Sequence, residues 1–166
     1  DPKVLREHTR QLRQAGVGVL CASWWGKNTF TDRALPGLLK AAEEAGLKVK
    51  AWTYDGGLPG PLIRTKVGDR LIVHFKNQLA APTTIHWHGV RVPIEMDGVP
   101  GISQPEVKTG DAFVYDFVVR DAGLFWYHPH VMSAAQVGFG LYGALLVEDP
   151  ADGVGVADQL TLVLSD

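Results

Sequence analysis

The chain has 166 residues, of which 46% are hydrophobic and 20% are charged, and this is the composition of a globular protein rather than a disordered one. Its net charge of −2 and the lack of a lysine- or arginine-rich run argue against a nucleic-acid-binding protein. No apolar run is long enough to span a membrane, so we expect neither nucleic acid nor a membrane as a partner.

The first part of the chain alternates between helix and strand patterns. Residues 2–15 predict a helix with Asp1 as its N-terminal cap. The continuous apolar run at 17–25 predicts a buried strand, and a second helical pattern over 33–46 leads into a strand pattern over 47–54. This αβαβ order is typical of a parallel α/β protein.

From about residue 50 onward the pattern changes to short strands separated by clusters of Gly, Pro, Asp and Asn. Such spacing indicates an antiparallel β-sandwich or barrel. We therefore predict two units, an αβαβ segment over 1–50 and a mainly β domain over 51–166. The strand-like stretches are KVKAWTY, PLIRTKVG, RLIVHFKNQ, TTIHWHGV, AFVYDFVV, GLFWYHPH, YGALLVED and QLTLVLS.

Four of the six histidines form two His-x-His pairs, His86 with His88 and His128 with His130. Residues two apart in a strand point to the same face, so each pair presents two imidazoles side by side. A single isolated histidine is usually an ordinary hydrogen-bonded strand residue. Two such pairs, each beside tryptophan, instead indicate a site for a transition metal such as copper, zinc, iron or nickel.

The stretches that carry these pairs resemble the first cupredoxin domain of multicopper oxidases, the laccase-like enzymes. The resemblance covers residues 49–166 approximately and includes both histidine motifs. It implies a mainly β fold, a cupredoxin-like Greek-key β-sandwich with the αβαβ segment at its N-terminus, and copper as cofactor. The matching stretches are PGPLIRTKVGDRLIVHFKNQL, TTIHWHGVRVPIEMDGVPGISQPEV and AGLFWYHPHVMSAAQVGFGLYGALLVED.

The resemblance also implies a role for individual residues. His86 resembles the type 2 copper ligand of the family, and the ligands of the type 3 copper pair would be His88, His128 and His130. Asp97 stands where the family has an acidic residue that assists proton delivery during dioxygen reduction; alternatively it is only a turn residue. The neighbouring aromatic residues are expected to orient the imidazoles by packing: Trp87, Trp126 and Tyr127.

The family's complete site needs parts that this chain does not contain. Its trinuclear copper cluster takes half of its histidines from a second cupredoxin domain, and its type 1 copper requires a His-Cys-His segment. This chain has no such segment, and its one cysteine, Cys21, lies far from the histidine motifs. We therefore expect that this chain alone has no laccase activity. To reduce dioxygen it would need a second cupredoxin domain, either in the same reading frame or on another subunit.

The first fifty residues resemble a different family, the glycoside hydrolase family 99-like (β/α)8 barrels, in the run GVGVLCASWWG and the following ALPGLLKAAEEAGLKV. The catalytic carboxylates of that family lie downstream of this slice, and Glu43 and Glu44 fit a solvated helix face. The chain is therefore interpreted as a chimera or fusion with a short overlap at 47–51. We hypothesise that 17–25 occupies a sheet edge left by a lost first strand of the oxidase domain.

The leading hypothesis is a copper-binding domain of a multicopper oxidase that oxidises a reducing substrate and reduces dioxygen to water. One alternative is a stand-alone copper-binding module, and another is an inactive fusion fragment. A carbohydrate-active fragment is supported only by residues 1–50. Because the oxidase family is largely exported, the resemblance implies a periplasmic or extracellular location.

Overall fold

The computed structural model describes residues 1–15, 19–20, 30–49, 51–149, 151 and 161–163. None of the helices in these ranges is both long and apolar enough to cross a membrane. In chain order the elements are α1 (Pro2–Gln14), β1 (Val19–Leu20), α2 (Phe30–Glu44), β2 (Lys48–Val49), β3 (Gly60–Lys66), β4 (Arg70–Lys76), β5 (His86–His88), a 3-10 turn (Ile94–Met96), β6 (Ala112–Val118), β7 (Gly123–His128), α3 (Ser133–Gly138) and β8 (Gly143–Glu148).

The two N-terminal helices confirm the helical part of the prediction. Helix α1 begins where expected, because the Asp1 carboxylate accepts a hydrogen bond of 2.8 Å from the backbone N–H of Lys3. Helix α2 begins three residues earlier than predicted and retains Pro36 in its interior. The two helices contact each other, and the Thr9 hydroxyl of α1 lies 3.1 Å from the carbonyl oxygen of Ala41 in α2.

The short strands of the N-terminal segment pair with each other. β1 lies parallel to β2, with Val19 opposite Lys48, so the αβαβ order is confirmed. The hypothesis that 17–25 completes the oxidase domain's sheet is wrong for residues 19–20, because a parallel crossover brings β1 beside the next strand along the chain. The rest of that run, including Cys21, lies outside the described residues.

Two predicted strands differ from the structure. Among the described residues of the 47–54 pattern, only β2 forms a strand, and Tyr54 makes an isolated bridge to Gly57 across a tight turn. Of the last pattern, 159–165, only residues 161–163 are described, and they are not in a strand. The strand patterns between these two all form β-structure.

The described residues of the β-domain form two sheets, one of four strands in the order β3-β8-β7-β5 and one of two strands, β4-β6. The predicted antiparallel arrangement holds for β4-β6, β5-β7 and β7-β8, but β3 and β8 are parallel. The chain leaves the larger sheet after β3 to form β4, and it returns to lie beside β3 only as β8. Among the described residues, β4 has a strand neighbour on one side only.

The core lies between the two sheets and determines which way β5 faces. Trp87, at the centre of β5, is 0% exposed and packs against Tyr115 and Phe117 of β6. Because strand side chains alternate, its neighbours His86 and His88 must point away from this core. The buried residues of the core are Ile85, Trp87, Tyr115, Phe117, Val119, Tyr127, Leu145 and Val147.

The other two histidines lie apart from this arrangement. His8 is exposed on α1, and His74 is exposed on the outer face of β4. Glu43 and Glu44 are exposed at the end of α2, as expected for a solvated helix face.

Candidate metal centre

The pairing of β5 with β7 brings the two His-x-His motifs together. His86 lies directly opposite His128 in the antiparallel ladder, and His88 lies opposite Trp126. Side chains of directly opposed residues point to the same face of a sheet and contact each other. The ladder therefore creates a cluster of imidazoles on the face of the sheet that points away from Trp87.

Three of the four predicted ligands form a tight group. One ring nitrogen from each of His86, His88 and His128 lies within 4.8 Å of the other two. One of these contacts, 3.1 Å long, joins Nδ1 of His88 to Nε2 of His128. Within the described part of the chain, no other group of histidine, cysteine or acidic side chains meets this criterion.

His130 borders this group on the side of His86. The ring centres of His130 and His86 are 4.4 Å apart, and those of His130 and His128 are 5.5 Å apart. Its backbone N–H donates a hydrogen bond of 3.3 Å to the Thr84 hydroxyl, which holds the segment that follows β7 against the segment that leads into β5. The structure therefore brings all four predicted histidines onto one face.

Backbone carbonyl groups select the tautomer of two of these imidazoles. Nδ1 of His86 lies 2.7 Å from the carbonyl oxygen of Asp97, and Nδ1 of His128 lies 3.0 Å from that of Pro129. A carbonyl oxygen only accepts hydrogen bonds, so each Nδ1 must carry the proton. Nε2 of both rings then carries a lone pair that can bind a metal ion; in the metal-free cluster, that of His128 accepts a hydrogen bond of 3.1 Å from Nδ1 of His88.

Burial lowers the pKa of two of the four imidazoles, those of His128 and His130. His128 is 6% exposed, and burial, together with the neighbouring imidazoles, lowers its pKa to about 4. Burial also lowers the pKa of His130, and His86 and His88 act in the same direction. Both rings are therefore neutral at pH 7, which is the form that binds metals.

Asp97 follows the 3-10 turn and lies beside the cluster. Its carboxylate oxygen Oδ1 is 3.2 Å from Nδ1 of His86, and its side chain is 32% exposed. The carbonyl oxygen of the same residue is closer to that nitrogen and takes the hydrogen bond. Its carboxylate is therefore positioned next to the imidazoles and also in contact with solvent.

The aromatic neighbours divide between the two faces of the sheet. Trp126 stacks on His128 with ring centres 3.9 Å apart, and its centre lies 4.9 Å from that of His88. Trp87 and Tyr127 instead pack against each other in the core, with ring centres 5.9 Å apart. Direct packing on the imidazoles is thus confirmed for Trp126, whereas the other two support β5 and β7 from behind.

Sequence reasoning missed a buried polar network that supports the site. The Thr83 hydroxyl donates to Oε1 of Gln136 at 2.7 Å, and Nε2 of Gln136 donates to the carbonyl of Pro82 at 2.9 Å. Gln136 is fully buried, so these bonds tie helix α3 to the segment that leads into β5. The one signal in the sequence was a single glutamine in the otherwise apolar stretch AAQVGFG.

The donor set fits a copper ion. The 3.1 Å between the His88 and His128 nitrogens suits two ligands of one ion, because metal–imidazole bonds are about 2.0–2.1 Å long. A site made of imidazole nitrogen favours copper, zinc, iron or nickel over calcium and magnesium. The chemistry of the residues present therefore agrees with the cofactor that the resemblance implied.

Comparison with known proteins agrees with this chemistry. The sequence profile of the family described as "Multicopper oxidase" matches residues 39–152, and that of "Glycosyl hydrolase family 99" matches residues 1–54. Copper resistance protein A of Escherichia coli is 44% identical over 108 residues, which are 65% of this chain and 18% of that protein. Laccase-2 of Botryotinia fuckeliana is 41% identical over 124 residues, which are 73% of this chain and 21% of that protein.

Solved structures support the fold in the same way. The crystal structure of a multi-copper oxidase from Pseudomonas Thermotolerans aligns with a TM-score of 0.59 and 56% identity, over 60% of this chain and 24% of that one. The chain thus spans about a fifth of the length of either relative named above. The cupredoxin-like sandwich and copper as cofactor are confirmed, and the chain belongs to the multicopper oxidase family, of which it contains one cupredoxin domain.

Proposed function

We propose that residues 51–166 supply half of a trinuclear copper site at which dioxygen is reduced to water by four electrons. The observation that carries this proposal is the meeting of His86, His88 and His128 on one face of the β5-β7 ladder. In this assignment His86 is the type 2 ligand. The type 3 ligands are His88, His128 and His130.

The chain's own residues would hold copper without rearranging the sheet. Nε2 of His86 and of His128 keep their lone pairs because their Nδ1 atoms donate to carbonyl groups, and an ion at His128 would replace its hydrogen bond with Nδ1 of His88. His88 reaches the same space from the neighbouring strand position, and His130 borders it. Copper, when bound there, would supply one-electron redox chemistry and a binding site for dioxygen.

Asp97 is proposed to hold a proton next to the dioxygen-reducing site. Reduction of dioxygen to water consumes protons, so the site needs a group that exchanges them with solvent. The carboxylate of Asp97 lies 3.2 Å from Nδ1 of His86 and is partly exposed, which suits this role. An Asp97→Asn variant should then bind copper but support slower dioxygen reduction once the complete enzyme is assembled.

The exposed side of the cluster is proposed to face a second cupredoxin domain that brings the remaining copper ligands. His88 is exposed, Trp126 is 39% exposed, and Met132, just after His130, is 62% exposed. Exposed aromatic and methionine side chains are typical of the core of a protein interface. The partner domain would come from the same reading frame or from another subunit.

Copper titration of the purified chain tests this proposal, followed by electron paramagnetic resonance and visible absorption. We expect copper uptake without the intense blue band of a type 1 site. The double variant His86→Ala/His128→Ala should lose this uptake. A well-folded wild-type chain that takes up no copper would contradict the proposal.

A matched control comes from a histidine outside the cluster. His74→Ala removes an exposed imidazole from the outer face of β4 and should leave copper uptake unchanged. If His74→Ala lowered uptake as much as the double variant, binding would be non-specific and the assignment of the cluster would be wrong.

A copper-binding module without turnover is the second candidate, and the group of three histidines favours it because these ligands lie close enough to hold one ion by themselves. Oxygen consumption separates the two candidates. The copper-loaded chain, supplied with a phenolic reductant and mixed with a separately produced second cupredoxin domain, should consume dioxygen only if it forms half of an oxidase site. Copper uptake with no oxygen consumption in the mixture would favour the module.

The proposal extends to organisation and location. A domain boundary near residue 50 is supported by the overlap of the two family matches at 39–54 and by the change from helices to sheets. Residues 1–50 then come from a glycoside-hydrolase-like source, which makes the chain a chimera.

Periplasmic or extracellular location follows from the oxidase family alone, and fractionation of cells that express the complete reading frame would test it.

A further inference from the structure

The main chain of the Asp97-Gly98 turn lies directly against β5. The carbonyl oxygen of Asp97 is 2.7 Å from Nδ1 of His86, and it forces the proton onto that nitrogen because it can only accept a hydrogen bond. The carboxylate of Asp97 lies farther away, at 3.2 Å. The main chain at this position, and not the side chain, therefore makes the shorter contact with the imidazole.

Gly98 allows this close approach. A Cβ atom at Gly98 would lie 1.9 Å from the carbonyl oxygen of Ile85 and 2.9 Å from the backbone nitrogen of His86. These are backbone atoms of a buried segment, and the N–H of Ile85 is itself held by the Tyr115 hydroxyl at 2.7 Å. Because these contacts fix the backbone at Ile85 and His86, any larger residue at 98 must move the turn away from His86.

We propose that Gly98 is a positioning residue that sets the tautomer of His86 through the Asp97 carbonyl group. The consequence for metal binding rests on the proposed role of His86 as a copper ligand. With Nδ1 protonated, Nε2 of His86 keeps its lone pair for the ion and the ring keeps one orientation. Loss of such an orienting contact typically lowers metal affinity by about 10- to 100-fold.

Gly101 provides a matched control in the same loop. Its φ of +74° is almost identical to the +75° of Gly98, so alanine suffers the same left-handed backbone strain at either position. No atom lies within 4 Å of a Cβ placed at Gly101. The variants Gly98→Ala and Gly101→Ala therefore share the same backbone strain, but only Gly98→Ala clashes with the start of β5.

The test is a nitrogen-15 NMR measurement of the imidazole tautomers in the metal-free chain, with a copper titration of each variant. Wild type and Gly101→Ala should both show a protonated Nδ1 at His86. Gly98→Ala should show a mixture of tautomers and bind copper about 10- to 100-fold more weakly than Gly101→Ala. Equal tautomer populations and equal affinities in the two alanine variants would overturn the proposal.

Asp97→Asn separates the main chain from the side chain, because it removes the carboxylate and keeps the carbonyl group. We expect the Nδ1 proton of His86 to persist in this variant. Its loss would assign the tautomer to the carboxylate and overturn the proposal, even if Gly98→Ala failed to fold. Failure of wild type to bind copper would contradict the proposed function alone, since the tautomer is measured without metal.

Discussion

The N-terminal segment and the β-sandwich are held together by different kinds of contact. Helix α1 buries one residue, Thr9, and leaves Val4 48% exposed. The sandwich instead buries a continuous set of aromatic and aliphatic side chains around Trp87, which is 0% exposed. The imidazoles of a cluster must keep their positions, and only the close-packed core of the sandwich provides such support.

A regular local sequence pattern and a buried core are therefore separate properties of a segment. The helices of the N-terminal segment follow from caps and propensity, and they contact each other through few buried groups. The strands that carry the histidines are held in place by the core side chains that pack on their opposite face. Variants in the two regions should therefore affect stability and copper binding very differently.

The largest expected effect is at the centre of the sandwich. Trp87→Ala should lower the free energy of unfolding by about 3–5 kcal/mol, because it leaves a cavity behind the imidazole cluster. Val4→Ala on α1 should change it by less than about 0.5 kcal/mol. Urea denaturation followed by far-ultraviolet circular dichroism measures both, and similar losses in the two variants would remove the contrast between the regions.

Copper should stabilise the sandwich and not the N-terminal segment. At a free copper concentration about 100 times the dissociation constant, binding should add about 2.7 kcal/mol to the stability of the domain. Native-state hydrogen exchange should then show slower exchange in β5 and β7, with α1 and α2 unchanged. A chelator should reverse the effect. Equal protection of α1 would mean that the ion binds elsewhere.

Alkaline pH should weaken the sandwich through its buried phenols. Burial raises the pKa of Tyr115 from its ordinary value of 10.0 to about 12. The unfolded chain therefore loses this proton first, so the stability present below pH 10 should fall by about 2 kcal/mol as pH rises to 12.

Tyr115→Phe removes this titrating group and provides the control. The variant should be less stable at neutral pH, because the N–H of Ile85 loses its 2.7 Å partner. Its stability should fall less steeply with pH, although burial also raises the pKa of Tyr54 and Tyr127. Urea unfolding of both proteins across the alkaline range measures the two slopes, and identical slopes would contradict the assignment to Tyr115.

The smallest effect is expected at the contact between the N-terminal helices. Thr9→Val keeps the shape of the side chain but removes a hydroxyl that lies 2.9 Å from the Leu5 carbonyl within α1 and 3.1 Å from the Ala41 carbonyl of α2. The helix pair should lose about 1 kcal/mol. Hydrogen exchange should become faster in α1 and α2 only; faster exchange in β5 as well would show that the two regions unfold together.

Much of the fold could be predicted from local pattern. The capped helix at Asp1 and the strands at β3, β4 and β6 follow from periodicity and turn residues. The strand predicted over 47–54 was wrong for residues 51–53, where the backbone N–H of Trp52 donates to the carbonyl group of Phe139 instead of joining a ladder. The parallel pairing of β3 with β8 is non-local, and no periodic pattern reports which strands become neighbours.

The candidate site could likewise be predicted only in part from the sequence. Two His-x-His motifs and the strand period of two are enough to predict that each pair of imidazoles shares a face. They do not specify that His86 lies opposite His128, since register depends on the packing of both strands against the core. The supporting role of Gln136 was equally invisible, because its partners are more than fifty residues away.

The amino-acid order thus determines the family, the four imidazoles and the change from helices to strands near residue 50, because all of these are local or compositional. The tertiary structure decides which nitrogen of the His86 and His128 rings carries the proton. That choice depends on the carbonyl groups of Asp97 and Pro129, which come within hydrogen-bonding distance of the rings only in the folded chain.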